Sequence, residues 1–176
     1  SKQKLQAITM LLAAGAVKSL AVEPPVDHDD KRTPLTDAHK HGVVDPLSAG
    51  LIPAAGAGGV GPEACSQKLP VFDGRLRFDL KLAYKRTEPI SAEGLSGTAV
   101  VCRVTFEPLG GHVKERFAIR FLRENRDMEA WFAPIAGTGF LAPVRIYVPT
   151  LLGPAVLQVT RFVVASAPRG AEAKTQ

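Results

Sequence analysis

Residues 71–86 read VFDGRLRFDLKLAYKR, and the alternation in this stretch decides the fold class. Phe72, Gly74, Leu76, Phe78, Leu80, Leu82 and Tyr84 fall on one parity, while Asp73, Arg75, Arg77, Asp79, Lys81 and Lys85 fall on the other. Side chains along a strand point to opposite faces in turn, so the stretch predicts one long strand with an apolar and a charged face. In that reading Asp73 and Gly74 are a local feature of the strand. The same period continues downstream. Thr98, Val100, Cys102, Val104 and Phe106 share a face opposite Arg103, Thr105 and Glu107. VKERFAIRF places Val113, Phe117, Ile119 and Phe121 opposite Lys114, Arg116 and Arg120, and predicts a further strand. MEAWFAP, FLAPVRIYVPT and AVLQVTRFVV follow, separated by turn-rich connectors such as PLGG and IAGTG. Consecutive strands on short loops make an antiparallel meander. The expected fold is therefore mainly β, with about six to eight strands curled around a shared apolar face.

A chain of 176 residues with 45% hydrophobic and 22% charged residues is long enough for one domain with a sizeable core. Residues 1–166 are read as that domain, with loops at 26–44 and 53–64 and a flexible tail at 167–176. The 16 Gly and 14 Pro favour turns and short strands over long helices. A net charge of +5, with acids interspersed among the bases, is not by itself a nucleic-acid footprint.

Near the start, AGAVKSLAVEPP reads as a strand stopped by Pro24 and Pro25, while KLQAITMLLAAG fits helix or strand equally. Lys2 and Lys4 ahead of an apolar run resemble a signal peptide, but Gly15 and Lys18 interrupt the pattern, and a retained, folded segment is expected. The run from Leu5 to Val17 is too short to cross a bilayer as a helix, so no transmembrane segment is expected. In VVDPLSAGLIP, Asp45 is a helix cap and Pro46 suits the first helical position. A short helix near 45–52, about two turns long, is the prediction, ended by Pro53.

The succession GVVDPLSAGL, a Gly/Ala-rich loop, a cysteine, VFDGRLRFDLKL, GTAVVCRVTFEPLGGH, EAWFAPIAGT and PVRIYVPTLLG resembles the C-terminal part of the bacterial domain-of-unknown-function family 3108. The resemblance runs from about residue 17 to residue 164. It implies an exported, periplasmic, mostly β protein of uncharacterised role, similar to half-open antiparallel barrels that carry or sense lipids and lipoproteins. It also implies further strands upstream of this chain. Export makes a disulfide between Cys65 and Cys102 the expectation, pinning the Gly/Ala-rich loop to the sheet and stabilising the fold by about 4 kcal/mol.

The candidate sites follow from the same pattern. Phe72, Leu76, Phe78, Leu80, Val100, Val104, Phe106, Phe117, Ile119 and Phe121 form the apolar face, which is either plain core or a partly open pocket for an acyl chain or lipoprotein tail. Arg75, Arg77, Lys81, Arg103, Lys114, Arg116 and Arg120 make a basic outer stripe, read first as a solvated face that discourages edge pairing and otherwise as a face for envelope polyanions or anionic lipid headgroups. Within it Arg75, Arg77, Arg103 and Arg116 are the expected cross-strand partners of Asp79, Glu107 and Glu115. His28, His39 and His41 carry carboxylates nearby, but without zinc-site spacing they read as loop residues, and His112 reads as a turn residue. No nucleophile lies beside a base, and Ser48 in PLSAG lacks the glycine frame of a nucleophile elbow. The expectation is thus no catalytic residue, no metal and no cofactor. The leading reading is a non-enzymatic binder or carrier of lipid-like molecules. The alternative is an envelope structural module that pairs with a partner protein, or with the upstream half of its own domain, through an open strand edge.

Overall fold

The computed structural model describes residues 7–25 and 30–163. His28 and the 167–176 tail lie outside that set. The N-terminal ambiguity resolves as strands: β1 (Ala7–Ala13) and β2 (Ala16–Glu23) form an antiparallel hairpin of their own across the two-residue turn Ala14-Gly15. Everything else is built on one seven-stranded sheet.

That sheet is a meander of β4 (Lys68–Phe72), β5 (Arg77–Ala92), β6 (Leu95–Gly110), β7 (Met128–Ile135) and β8 (Phe140–Thr150), each antiparallel to the next. Two short strands, β3 (Ile52–Pro53) and β9 (Gly153–Gln158), share the far side of β8. The sheet does not close into a barrel. Its β4 edge is covered by chain: Val44 donates its amide to the Pro70 carbonyl at 2.9 Å and accepts from the Phe72 amide at 3.0 Å.

Three local expectations need correction. Residues 71–86 are not one strand. The Asp73 carboxylate accepts the amides of Arg75 at 2.8 Å and Leu76 at 2.6 Å, closing a turn between β4 and β5. Gly74 sits in this turn at φ 90°, and a Cβ there would come within 2.6 Å of Ile8 Cγ2, so the turn also docks the β1–β2 hairpin.

The second correction concerns VKERFAIRF, which is not a strand. Residues Phe117–Glu124 form the helix α1, where Phe117 and Phe121 stack with ring centroids 6.0 Å apart. Apolar residues at 117, 119, 121 and 122 satisfy either period, and β7 pairs directly with β6, leaving no room between them for another strand. The split of one predicted strand and the loss of another leave a six-strand meander from β4 to β9.

Third, the helix near 45–52 shrinks to a single 3-10 turn, Ser48–Gly50. Leu47 stands at its N-cap, and the Asp45 carboxylate lies just ahead, its Oδ1 accepting the amides of Leu47 at 2.9 Å and Ser48 at 3.0 Å, with Pro46 between. Pairing of Ile52 with Leu141 pulls the chain into β3 before a second turn forms.

Core lies on both faces of the sheet. Ala99, Val100, Val101 and Cys102 are consecutive and all fully buried. On one face Val100, Cys102, Leu82, Ala130 and Phe132 pack against Ile52, Ala64 and Cys65 from the loop that precedes β4. On the other, Ala99, Val101, Trp131, Ala133 and Val144 pack with Ile90, Leu95 and Val159. The Cys65–Cys102 disulfide is formed, with Cα atoms 5.5 Å apart, and tethers the loop to the first face. Replacing both cysteines by serine is expected to destabilise the protein by about 2–4 kcal/mol, read from urea unfolding. Thiol titration of denatured, unreduced protein should count no free thiol, and two after reduction.

Candidate functional site

The predicted apolar set divides into three groups. Phe72 and Val100 are fully buried core. Phe78, Leu80, Val104 and Phe106 come together on one face of β5 and β6 and are half-buried; Leu80 lies opposite Phe106, and the Phe78 and Phe106 rings are 5.3 Å apart. Leu76, Ile119, Phe117 and Phe121 lie elsewhere, on the Asp73 turn and on α1.

The basic stripe is also redistributed. Asp79 is fully buried opposite Glu107, and the mutual repulsion of this acidic pair is answered by Lys68 at 2.7 Å and Arg77 at 2.6 Å on Asp79 and by Lys81 at 2.7 Å on Glu107. Burial pushes the Asp79 carboxyl up, but the Lys68 and Arg77 hydrogen bonds and charges outweigh it and hold the group below its ordinary value. Arg77 thus answers Asp79 from its own strand, and Lys68 and Lys81 supply the remaining cations. Arg103, Lys114 and Arg120 remain exposed.

A second constellation surrounds Trp131. Its indole donates to Glu88 Oε2 at 2.7 Å, and the Arg86 and Arg145 guanidiniums stand 5.5 and 4.7 Å from the ring centre. Arg86 bridges Glu88 at 2.5 Å and Glu129 at 3.0 Å, and Lys85 also donates to Glu129. Burial raises the Glu129 carboxyl, and the Lys85 and Arg86 hydrogen bonds overcome it; Glu88 is lowered by the Trp131 and Arg86 hydrogen bonds.

Arg75 and Arg116 leave the stripe altogether. They meet Arg32 and His112 in a groove of about 220 Å³, lined also by Asp73, Leu76, Val113 and Ile119. The loop segment around Arg32 reaches this place by pairing with the end of β6: Thr33 donates to the His112 carbonyl at 2.8 Å, Gly111 donates to the Thr33 carbonyl at 2.8 Å, and Arg32 Nη1 donates to the Gly111 carbonyl at 2.8 Å. Only glycine fits at 111, where φ is 80° and a Cβ would lie 1.9 Å from the Arg75 carbonyl oxygen. Burial holds the His112 imidazole below its ordinary value; the Gly110 backbone opposes this, and the charges of Lys114 and Arg123 add to it.

Asp73, Arg75 and His112 of this groove come from FDGR and GGH, two of the segments on which the family resemblance stands; Arg32 and Arg116 lie outside them. The family model described as Protein of unknown function (DUF3108) matches residues 6–160. The chain belongs to that family. Neither curated proteins nor solved structures yield a match. Within this DUF3108 chain, the sequence signals for the groove were FDGR and the Gly110-Gly111 doublet, which only the fold brings together. The signal for the Trp131 face was the unbroken apolar runs AVVC and AWFA, which mark strands buried on both faces. His39 and His41 are taken up locally, by the Thr36 amide and the Asp37 carbonyl.

The lowered carboxyls give stability a definite pH dependence. A group whose folded pKa is depressed contributes fully above its unfolded value, near ~4, and loses that contribution as pH falls through the folded value. The urea midpoint is therefore expected to fall between about pH 5 and pH 2. Glu129→Gln should cost about 1–3 kcal/mol at pH 7 and make the acid decline shallower.

Proposed function

We propose that this DUF3108 protein is an exported, non-enzymatic binder of lipid-like or apolar molecules. The observation that carries this reading is the uneven cover of the sheet's apolar face. At Val100 and Cys102 the disulfide-tethered loop fills the space with Ile52 and Ala64. Toward the other end Phe78, Leu80, Val104 and Phe106 stay only half-buried, an apolar patch whose chemistry suits part of an acyl chain. A non-catalytic role is supported by the acids: Asp79, Glu88 and Glu129 are each held ionised by paired donors, the opposite of a carboxyl poised to give up a proton. An oxidising compartment such as the periplasm is supported by the buried disulfide. Among the described residues no helix is long and apolar enough to cross a membrane.

Native mass spectrometry after gentle purification should find bound lipid, and an apolar fluorescent probe should brighten on binding. Phe106→Ser and Leu80→Ser should each weaken probe binding about tenfold, a loss of ~1.4 kcal/mol. No bound lipid together with no probe response would overturn the reading.

A second reading rests on β9. Gly153–Gln158 is exposed along its whole length and uncharged, and Leu151, Leu152 and Leu157 beside or within it are open to solvent. Such an edge can accept a strand from a partner envelope protein. Sedimentation equilibrium should then show self-association or partner capture that Leu157→Lys abolishes; a strict monomer that captures no partner would remove this reading.

A further inference from the structure

We propose that the groove formed by Arg32, Arg75, His112 and Arg116 is a binding site for a phosphate-type oxyanion. Among the described residues, Arg32 Nε and Arg75 Nε are buried without a hydrogen-bond partner. Both belong to residues that line this one groove. A buried donor left unpaired is costly, and two of them on cationic side chains that line a single space call for an acceptor that supplies several oxygens at once. Arg116 adds a third guanidinium. The lining charge is three arginines less one aspartate, or +2 with His112 neutral, and the Asp73 carboxylate is already engaged by the Arg75 and Leu76 amides.

The segments that carry Arg32 and Arg75 are held in place before any ligand arrives. Arg32 is fixed through Nη1 on the Gly111 carbonyl and by the backbone pairing of Thr33 with Gly111 and His112. At Arg75 it is the backbone that is fixed, by the Asp73 turn and by the close approach of Gly111 to its carbonyl. Preorganised donors lose little entropy on binding, and a guanidinium offers Nε and Nη as a planar fork to an oxyanion. A carboxylate has two oxygens in one plane, whereas three arginines from different segments match a tetrahedral group with oxygens on several sides. Leu76, Val113 and Ile119 supply an apolar wall, so the phosphate can be free or carry an organic substituent, as a phospholipid headgroup does. The site stands whether or not an apolar ligand lies against Phe78 and Phe106.

The test uses the full chain with its disulfide intact. Inorganic phosphate is titrated calorimetrically at low ionic strength against chloride at matched ionic strength. In parallel, flotation is measured with phosphatidylcholine vesicles alone and with vesicles containing phosphatidic acid. Binding of phosphate alone identifies a soluble phosphate as the ligand; recruitment to phosphatidic acid vesicles, with or without phosphate binding, identifies a headgroup. In either case Arg32→Gln and Arg116→Gln should each weaken binding at least tenfold, with the unliganded unfolding midpoint of Arg116→Gln unchanged. Arg103→Gln, an equal loss of charge outside the groove, should bind as wild type. The proposal fails if neither phosphate nor phosphatidic acid binds, or if Arg103→Gln weakens binding as much as Arg116→Gln. Lipid or probe binding at the sheet with no phosphate response would sink this site and leave the apolar one standing.

Discussion

The arrangement of the molecule depends on the second of two register shifts in the β5–β6 hairpin, the one extra residue at Lys85. These two strands of 16 residues pair along nearly their whole length, and the register shifts between Tyr84 and Arg86. Before the shift Leu82 faces Val104, and both join the core that contains the disulfide. After it Arg86 faces Val101, Glu88 faces Ala99, and Ile90 joins the Trp131 core on the opposite side. A bulge of one residue moves every later side chain to the other face. The apolar face of the hairpin therefore changes sides partway along, and the sheet must be covered on both.

Each cover is supplied differently. On one side a loop with little secondary structure is held by the covalent bond from Cys65 to Cys102, which removes the need for that loop to carry a large apolar surface of its own. On the other, the bulge brings Arg86 and Glu88 beside Trp131 and places the displaced Lys85 on Glu129, so an ion-pair network frames the second core. Buried acids of this kind are tolerated because each has at least one close cation. The same logic explains the Asp79–Glu107 juxtaposition across β5 and β6, where Lys68, Arg77 and Lys81 answer a repulsion the register imposes.

Much of the fold was legible. Alternation at 76–84 and 98–106, turn residues between the strands and Asp45-Pro46 ahead of Ser48 all report local backbone preferences, and these survive in β5, β6 and the turn at Ser48. Alternation misled where two periods coincide: Phe117, Ile119 and Phe121 satisfy a strand and Phe117, Phe121 and Leu122 a helix, and only the direct pairing of β6 with β7 settles between them. Parity could not be carried beyond Tyr84, because a bulge leaves no mark in the pattern of apolar and charged residues. The candidate site was legible only in pieces. FDGR and Gly110-Gly111 were visible as motifs, and Arg32 lay in a polar loop with nothing to connect it to either.

What the sequence determined by itself was local: the period of two, the places where the chain must turn, and the presence of two cysteines that an oxidising compartment would join. Those properties depend on near neighbours, a few residues apart. Which face each strand buries, which cation answers which acid, and the convergence of Arg32, Arg75, His112 and Arg116 were decided by tertiary structure alone. Arg32 and His112 are separated by about 80 positions, and the partner that brings them together is a backbone ladder at the end of β6, made of amide and carbonyl groups that every residue carries and no side-chain pattern can announce.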